Sequence, residues 1–246
     1  MLERPRMCIV GFGRIGKICA RLFSPGFDVE IISRRDIQAE ALERGARQSE
    51  DAAKSLADAD YVFLAVPIEA LDGWIPQINR LTTPACVVMD CCTVREAANE
   101  KLSGVQRRRF GLPEIGGAES PVDGEPDPLI RDYLEAQGCL LCPIESEDPE
   151  RKPVSGIAHF IGMALDLHLT AEERIGLERG GAGQCLLKLI EHLKTNSPST
   201  YKEIQLLDAQ MSARRKEVIA WLKALDEELD RGEFRFQPYP PEQWRE

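Results

Sequence analysis

Three glycines spaced G-x-G-x-x-G, Gly11, Gly13 and Gly16, lie between an apolar run, Met7–Val10, and a helical stretch that begins at Arg14. This spacing constrains the fold more than any other feature of the chain. The first glycine permits a tight strand-to-helix turn, the second lets a pyrophosphate approach the backbone, and the third lets helix and strand pack closely. The helix that follows offers unpaired N–H groups and the positive end of its dipole. The backbone from Gly11 through Phe12, Gly13, Arg14 and Ile15 to Gly16 is therefore predicted to cradle the diphosphate of a dinucleotide. A strand–helix turn without a ligand is the competing reading, and the motif's place in an opening βαβ unit favours the dinucleotide.

The rest of the N-terminal part keeps the same rhythm. Short apolar runs at Phe27–Ile32, Tyr61–Val66, Cys86–Met89 and Cys139–Leu141 are bounded by Gly, Pro, Asp or Ser and suit strands covered on both faces. Helical stretches at Arg14–Phe23, Ile37–Arg44, Ile68–Asn79 and Val94–Leu102 separate most of them. This alternation predicts an α/β fold with a Rossmann-type, doubly wound parallel sheet. Residues Leu112–Pro128, rich in glycine and proline, read as a loop, and Asp127 opens a helix that runs to about Gln137. Past a charged linker, Glu145–Pro153, the period is helical throughout, at Val154–Leu169, Ala182–Leu193, Pro198–Leu207 and Met211–Leu229. Ser197 is suited to cap the third of these, with Pro198 at its first position. The expected division is a dinucleotide-binding domain over residues 1–147 and an all-α dimerisation and substrate domain over 148–246. A proline-rich aromatic tail begins at Phe234.

Charge and cysteine usage narrow the partners. A formal net charge of −10 argues against a sequence-independent nucleic-acid binder and against a membrane-surface protein. No apolar run reaches the roughly 20 residues of a membrane span, and the charged first residues do not read as a signal peptide. Eight cysteines then read as reduced thiols of a cytoplasmic protein, with Cys8, Cys19, Cys86 and Cys185 as small hydrophobes. Cys139 and Cys142 have CxxC spacing but no second ligand pair, so no metal is expected.

The strand ends carry the remaining chemistry. The second strand ends Ile32-Ser33-Arg34-Arg35-Asp36. A hydroxyl followed by two arginines suits a 2′-phosphate, which points to NADP. If Asp36 instead occupies the ribose position, the cofactor is NAD. Ala65, Val66 and Pro67 close the next apolar run, and small residues there would let a nicotinamide ring lie against the backbone. Arg107, Arg108 and Arg109 read as a strand with Arg107 and Arg109 on one face. Apolar positions Ile204, Leu207, Met211, Val218, Leu222 and Leu225 could pair between two subunits or pack within one chain.

With Leu64–Pro67, Asp90–Arg95, Ile157–Ile161 and, more weakly, Pro198–Gln205, the chain resembles the prephenate/arogenate dehydrogenase family over most of its length. The resemblance implies a homodimer that transfers a hydride from a ring carbon bearing a hydroxyl to NAD(P), with loss of the ring carboxylate. It implies a catalytic set in which Thr93 and His159 line the pocket, and a dianionic or zwitterionic substrate whose carboxylate meets Arg95. Arg109, on the arginine run that leads into the glycine-rich loop, is a second candidate cation for that substrate, and a solvated edge strand guarded by charge is the competing reading. The family's catalytic histidine stands in a Gly-x-His-Pro motif, and here that stretch reads Gly111-Leu112-Pro113, with leucine at the histidine position. General-base help of that kind is worth about 10²–10⁴ in rate, and Glu114, two residues on, is the candidate replacement. The family's substrate-carboxylate arginine also has no counterpart in the neutral stretch 180–187. Two alternatives share the layout: an NADPH-dependent imine or keto-acid reductase, and a non-catalytic protein that senses a nucleotide or metabolite. His159 also fits a core histidine on the apolar face of Ile157, Phe160 and Ile161.

Overall fold

The computed structural model describes residues 4–144, 154–178, 180–195 and 198–232. The Glu145–Pro153 linker, the Ser197 cap and the tail from Phe234 fall outside the described residues. In chain order the elements are β1 (Arg6–Val10), α1 (Arg14–Phe23), β2 (Asp28–Ile32), α2 (Gln38–Leu42), β3 (Arg47–Gln48), α3 (Ala52–Ala57) and β4 (Tyr61–Leu64). A 3₁₀ turn (Ile68–Ala70) leads into α4 (Leu71–Leu81), followed by β5 (Val87–Asp90), α5 (Arg95–Leu102), β6 (Arg108–Gly111), β7 (Glu119–Val122), α6 (Pro128–Ala136) and β8 (Leu140–Pro143). Five helices follow: α7 (Val154–His168), α8 (Ala171–Glu178), α9 (Gly181–Lys194), α10 (Pro198–Leu207) and α11 (Ala209–Asp230).

β1 to β6 form one parallel sheet in the order β3-β2-β1-β4-β5-β6. The chain works outward from β1 to β3, then crosses back to lay β4 on the other side of β1. Ligands of such sheets bind in the crevice outside the carboxyl ends of the strands, where the order reverses. Every residue of β4 and β5, and Met7–Val10 of β1, is buried, because both faces of the sheet are covered. Strand alternation sorts them into two cores. Met7, Ile9, Tyr61, Phe63, Val87 and Met89 face α1 and a set of aromatics that includes Phe23 and Phe27. Cys8, Val10, Val62, Leu64 and Val88 face the other way, onto Leu71 and Ile78 of α4, and Ile204 and Met211 of α10 and α11 join that second core. The C-terminal helices thus rest on one face of the sheet, beside the ends of β4 and β5.

Local signals account for several boundaries. Asp127 caps α6 by accepting the Leu129 N–H at 3.0 Å, with Pro128 at the first helical position. Its carboxylate also accepts from the Tyr61 hydroxyl (3.0 Å) and from Arg108 (2.8 Å), which ties α6 to the sheet. Asp51 caps α3 through the Ala53 and Lys54 amides.

Some expectations are overturned. The stretch Leu112–Pro128 is not a continuous loop, because Glu119–Val122 forms β7, which pairs in parallel with β8. The run around Cys139–Leu141 accordingly belongs to this two-stranded sheet and not to the main one. Arg107 precedes β6 instead of sharing a strand face with Arg109, and its guanidinium donates to the Asn79 and Thr82 carbonyls. Cys185 is exposed, whereas Cys8, Cys19 and Cys86 are buried. β3, α3 and α8 carry no apolar run long enough to read from sequence.

Candidate active site

The glycine turn sits at the carboxyl end of β1, at the point where the strand order reverses. Gly11 has φ +100°, and its N–H donates to the Ile32 carbonyl at 2.9 Å. A Cβ there would run into the Ala65 carbonyl, and one at Gly16 would run into the Gly11 carbonyl. At Gly13 the space a Cβ would occupy is open. Gly13 is the N-cap of α1 and offers no side chain to its first turn, so this helix end is positive and lacks a side-chain acceptor. A close-packed turn with one open side is the shape a diphosphate requires. Phe12 is buried beneath Lys17 and Arg44, 5.5 and 5.7 Å from its ring centre, and Glu40 pairs with both cations. Its side chain belongs to the core, which leaves its backbone to line the turn. Arg14 is exposed and Ile15 half-buried.

The end of β2 is held from beneath. The Gln48 side chain accepts the Ile37 N–H at 2.7 Å and donates to the Arg35 carbonyl at 2.9 Å. Ser33 accepts the Arg35 N–H, and Asp36 accepts the Gln38 N–H at the start of α2. Arg34 and Arg35 are exposed on this braced loop. After β4, Ala65 donates to the Val10 carbonyl at 2.9 Å and is half-buried with Val66, while Pro67 is exposed.

At the end of β5, Arg95 is engaged within the protein. Asp90, 2% exposed, accepts from Arg95 at 2.5 and 3.3 Å. The same guanidinium donates to Asp123 (2.7 Å) and to the Cys92 carbonyl (2.9 Å). Asn99 bridges Asp123 to Arg109, at 2.7 and 2.8 Å. Burial opposes the charge of Asp123, but hydrogen bonds from Arg95 and Asn99 outweigh it and hold the carboxyl below its usual range. Arg95 and Arg109 were expected to meet a substrate carboxylate. Here Arg95 bonds two internal anions, Asp90 and Asp123, and Arg109 joins them through Asn99; those two carboxylates are the residues the sequence reading missed.

The remaining candidates are dispersed. Thr93 is exposed on the loop that this network anchors. Leu112 is fully buried, and its N–H donates to the Asp90 carbonyl at 2.7 Å, extending the β5–β6 ladder. Glu114 is exposed beyond it. His159 of α7 packs edge-on against Tyr201 of α10, ring centres 5.0 Å apart, and its buried Nδ1 has no hydrogen-bond partner among the described residues. Burial, and then the neighbouring His192, push the imidazole below the usual histidine range. Two residues on from Tyr201, Glu203 Oε1 accepts the Ile68 N–H at 2.8 Å, and Lys202 pairs with Glu69 at 2.7 Å. These contacts dock α10 on the turn after β4. Glu203 lies within the Pro198–Gln205 stretch, but sequence alone offered no partner for it.

Comparison with known proteins agrees with this architecture. The family described as prephenate dehydrogenase, nucleotide-binding domain, matches residues 20–158. No curated protein sequence matches the chain. Among solved structures, prephenate dehydrogenase from Aquifex aeolicus, in complex with hydroxyphenyl propionate and NAD+, superposes with a TM-score of 0.72 at 16% identity, covering 94% of this chain and 92% of that one. Arogenate dehydrogenase from Synechocystis superposes with a TM-score of 0.56 at 18% identity, covering 93% of both chains. At these identities the likeness is one of fold.

Proposed function

The chain belongs to the prephenate dehydrogenase family, and on that footing we propose that it is an NADP-linked oxidoreductase acting on a prephenate- or arogenate-like acid. The observation that carries this reading is the turn at Gly13, open on one side above an uncapped helix end, with Ser33, Arg34 and Arg35 displayed on the neighbouring strand end. These residues fit a dinucleotide with a 2′-phosphate: the first-turn amides of α1 for the diphosphate, Ser33 as hydrogen-bond donor and the two arginines as charged forks. The engagement of Asp36 with the Gln38 amide supports NADP over NAD. When bound, the nicotinamide would accept a hydride from the ring carbon that bears the hydroxyl.

The chain's own groups position that exchange. Ala65, Val66 and Pro67 are the residues against which the nicotinamide ring would lie. Thr93 offers a hydroxyl at the mouth of the site, and His159, kept neutral by burial, offers a ring nitrogen from α7. Arg95 and Arg109 act through Asp90, Asn99 and Asp123, holding the Thr93 loop instead of bonding the substrate. Leu112 takes the histidine's place and cannot accept a proton, which leaves the exposed Glu114 as the candidate base. Departure of the ring carboxylate would drive the reaction, so a weak base can suffice. In this reading, residues 1–147 bind the cofactor and 148–246 supply the substrate wall and a homodimer contact. Eight free cysteines suit a reducing cytoplasm.

A buried leucine where the family has its base also favours a second reading, reduction of a keto acid or cyclic imine, in which no proton need be removed from a hydroxyl. Turnover of prephenate and arogenate with NADP+ and NAD+, beside keto acids and imines with NADPH, separates the two. We expect NADP+-dependent oxidation. Replacing Arg34 and Arg35 together by alanine should raise the KM for NADP+ about 10- to 100-fold, the size of a lost charge-assisted contact. Absence of turnover with either ring acid overturns the first reading, and reduction of a keto acid or imine establishes the second.

A further inference from the structure

One buried titratable group remains outside this scheme. Glu203 is 9% exposed, and its single hydrogen-bond donor among the described residues is the Ile68 amide, on Oε1. Ile68 begins the turn directly after Ala65-Val66-Pro67. The next residue, Ile204, is buried in the same core as Cys92, at the end of β5, and Val66 packs against that core. The carboxyl thus stands at the turn after β4, on the face shared with the end of β5, and ligands of this topology bind at the carboxyl ends of the strands. The titratable groups whose charges bear on it are Lys202 from its own helix, Glu69 from the turn, and the thiols of Cys91 and Cys92 at the end of β5. Lys202 is already paired with Glu69 and does not neutralise Glu203. Burial, reinforced by Glu69, pushes the carboxyl above its usual range against the Ile68 amide and Lys202. Helix docking alone would require an acceptor for the Ile68 amide, which a neutral amide side chain provides equally well. A carboxylate whose second oxygen makes no hydrogen bond among the described residues is more than docking needs.

We propose that Glu203 is the charge partner of the oxidised nicotinamide ring and makes this site prefer the oxidised cofactor. The oxidised ring carries a positive charge and the reduced ring none, so a desolvated carboxylate beside it stabilises only the oxidised form. The proposal rests on the nicotinamide reading of the site but not on any substrate.

The test measures the dissociation constants of NADP+ and NADPH for the full chain and for Glu203→Gln, together with proton release on NADP+ binding in weakly buffered solution at mildly acidic pH. Glutamine keeps the acceptor for the Ile68 amide and removes only the charge. Wild type should release a proton that E203Q does not; comparing the two cancels any contribution from a 2′-phosphate. E203Q should bind NADP+ about tenfold more weakly, with NADPH affinity unchanged. Equal effects on both forms, or no effect on either, overturn the proposal. Binding with this preference but without turnover of prephenate or arogenate would sink the dehydrogenase reading and leave Glu203 in place. If neither cofactor binds, both fall together.

Discussion

Arg95 donates four hydrogen bonds, to Asp90, Asp123 and the Cys92 carbonyl, from a side chain that is 13% exposed. Lysine cannot reproduce this fork, and it would leave the buried Asp90 short of compensation. Arg95→Lys should therefore lose about 3 kcal/mol of stability, a fall in Tm of roughly 6–12 °C for a chain of this size. Because Asp123 titrates below its unfolded value, its contribution is present above the ordinary carboxylate range and is lost as pH falls through the depressed folded pKa. Thermal melts should show the deficit of the variant shrinking in acid. A deficit that stays constant down to low pH would mean the network adds no charge-dependent stability. The network could not be read from sequence because Arg95 and Asp123 are 28 residues apart and are brought together by the Gly111–Asp123 bridge between the end of β6 and the residue after β7. Gly111 gives a related reason: a Cβ there would occupy the Arg95 guanidinium.

Among the elements, the turn from β1 to α1 separates two duties of glycine. Gly13→Ala meets open space in an ordinary backbone region, so it should leave Tm unchanged while weakening dinucleotide binding at least tenfold. Gly16→Ala pushes against the Gly11 carbonyl and should lower Tm, with or without ligand. Parallel melts and binding titrations of the two variants decide this, and a stability loss at Gly13 would contradict the ligand-facing assignment. α1 and α10 were legible to the residue, Arg14–Phe23 and Pro198–Leu207, because their stop and start signals are local. β3 and β7 were not. Two residues of β3 are an edge defined by Glu30 and Ile31 opposite, and β7 contains Pro121 and gains its pairing from β8, some twenty residues on. Strands of this kind are made by their partners and leave little mark in their own residues.

For the whole molecule, the question is what covers α11. Ile204, Met211 and Val218, expected on a shared apolar face, are buried within the chain, whereas Leu207, Leu222 and Leu225 are exposed. Leu229, Ile219 and Trp221 extend that exposed surface, with Arg214 stacked 4.6 Å over the Trp221 ring. An apolar stripe of this length on a chain of charge −10 is suited to a second copy. Replacing Leu222 and Leu225 together by glutamate should convert a dimer into a folded monomer in sedimentation, since neither side chain supports the core. A wild-type chain that sediments as a monomer would refute this. No helix among the described residues is long and apolar enough to cross a membrane.

The brace under the β2 loop has an evolutionary consequence. Gln48 holds Ile37 and Arg35 by their backbone, and Ser33 and Asp36 close the same loop through backbone amides. The Arg34 and Arg35 side chains make no hydrogen bond or ion pair among the described residues. On the NADP reading proposed above, coenzyme preference is a modular trait: mutation can rewrite those two positions, and selection can change the redox pool the protein draws on, without renegotiating the fold that presents them.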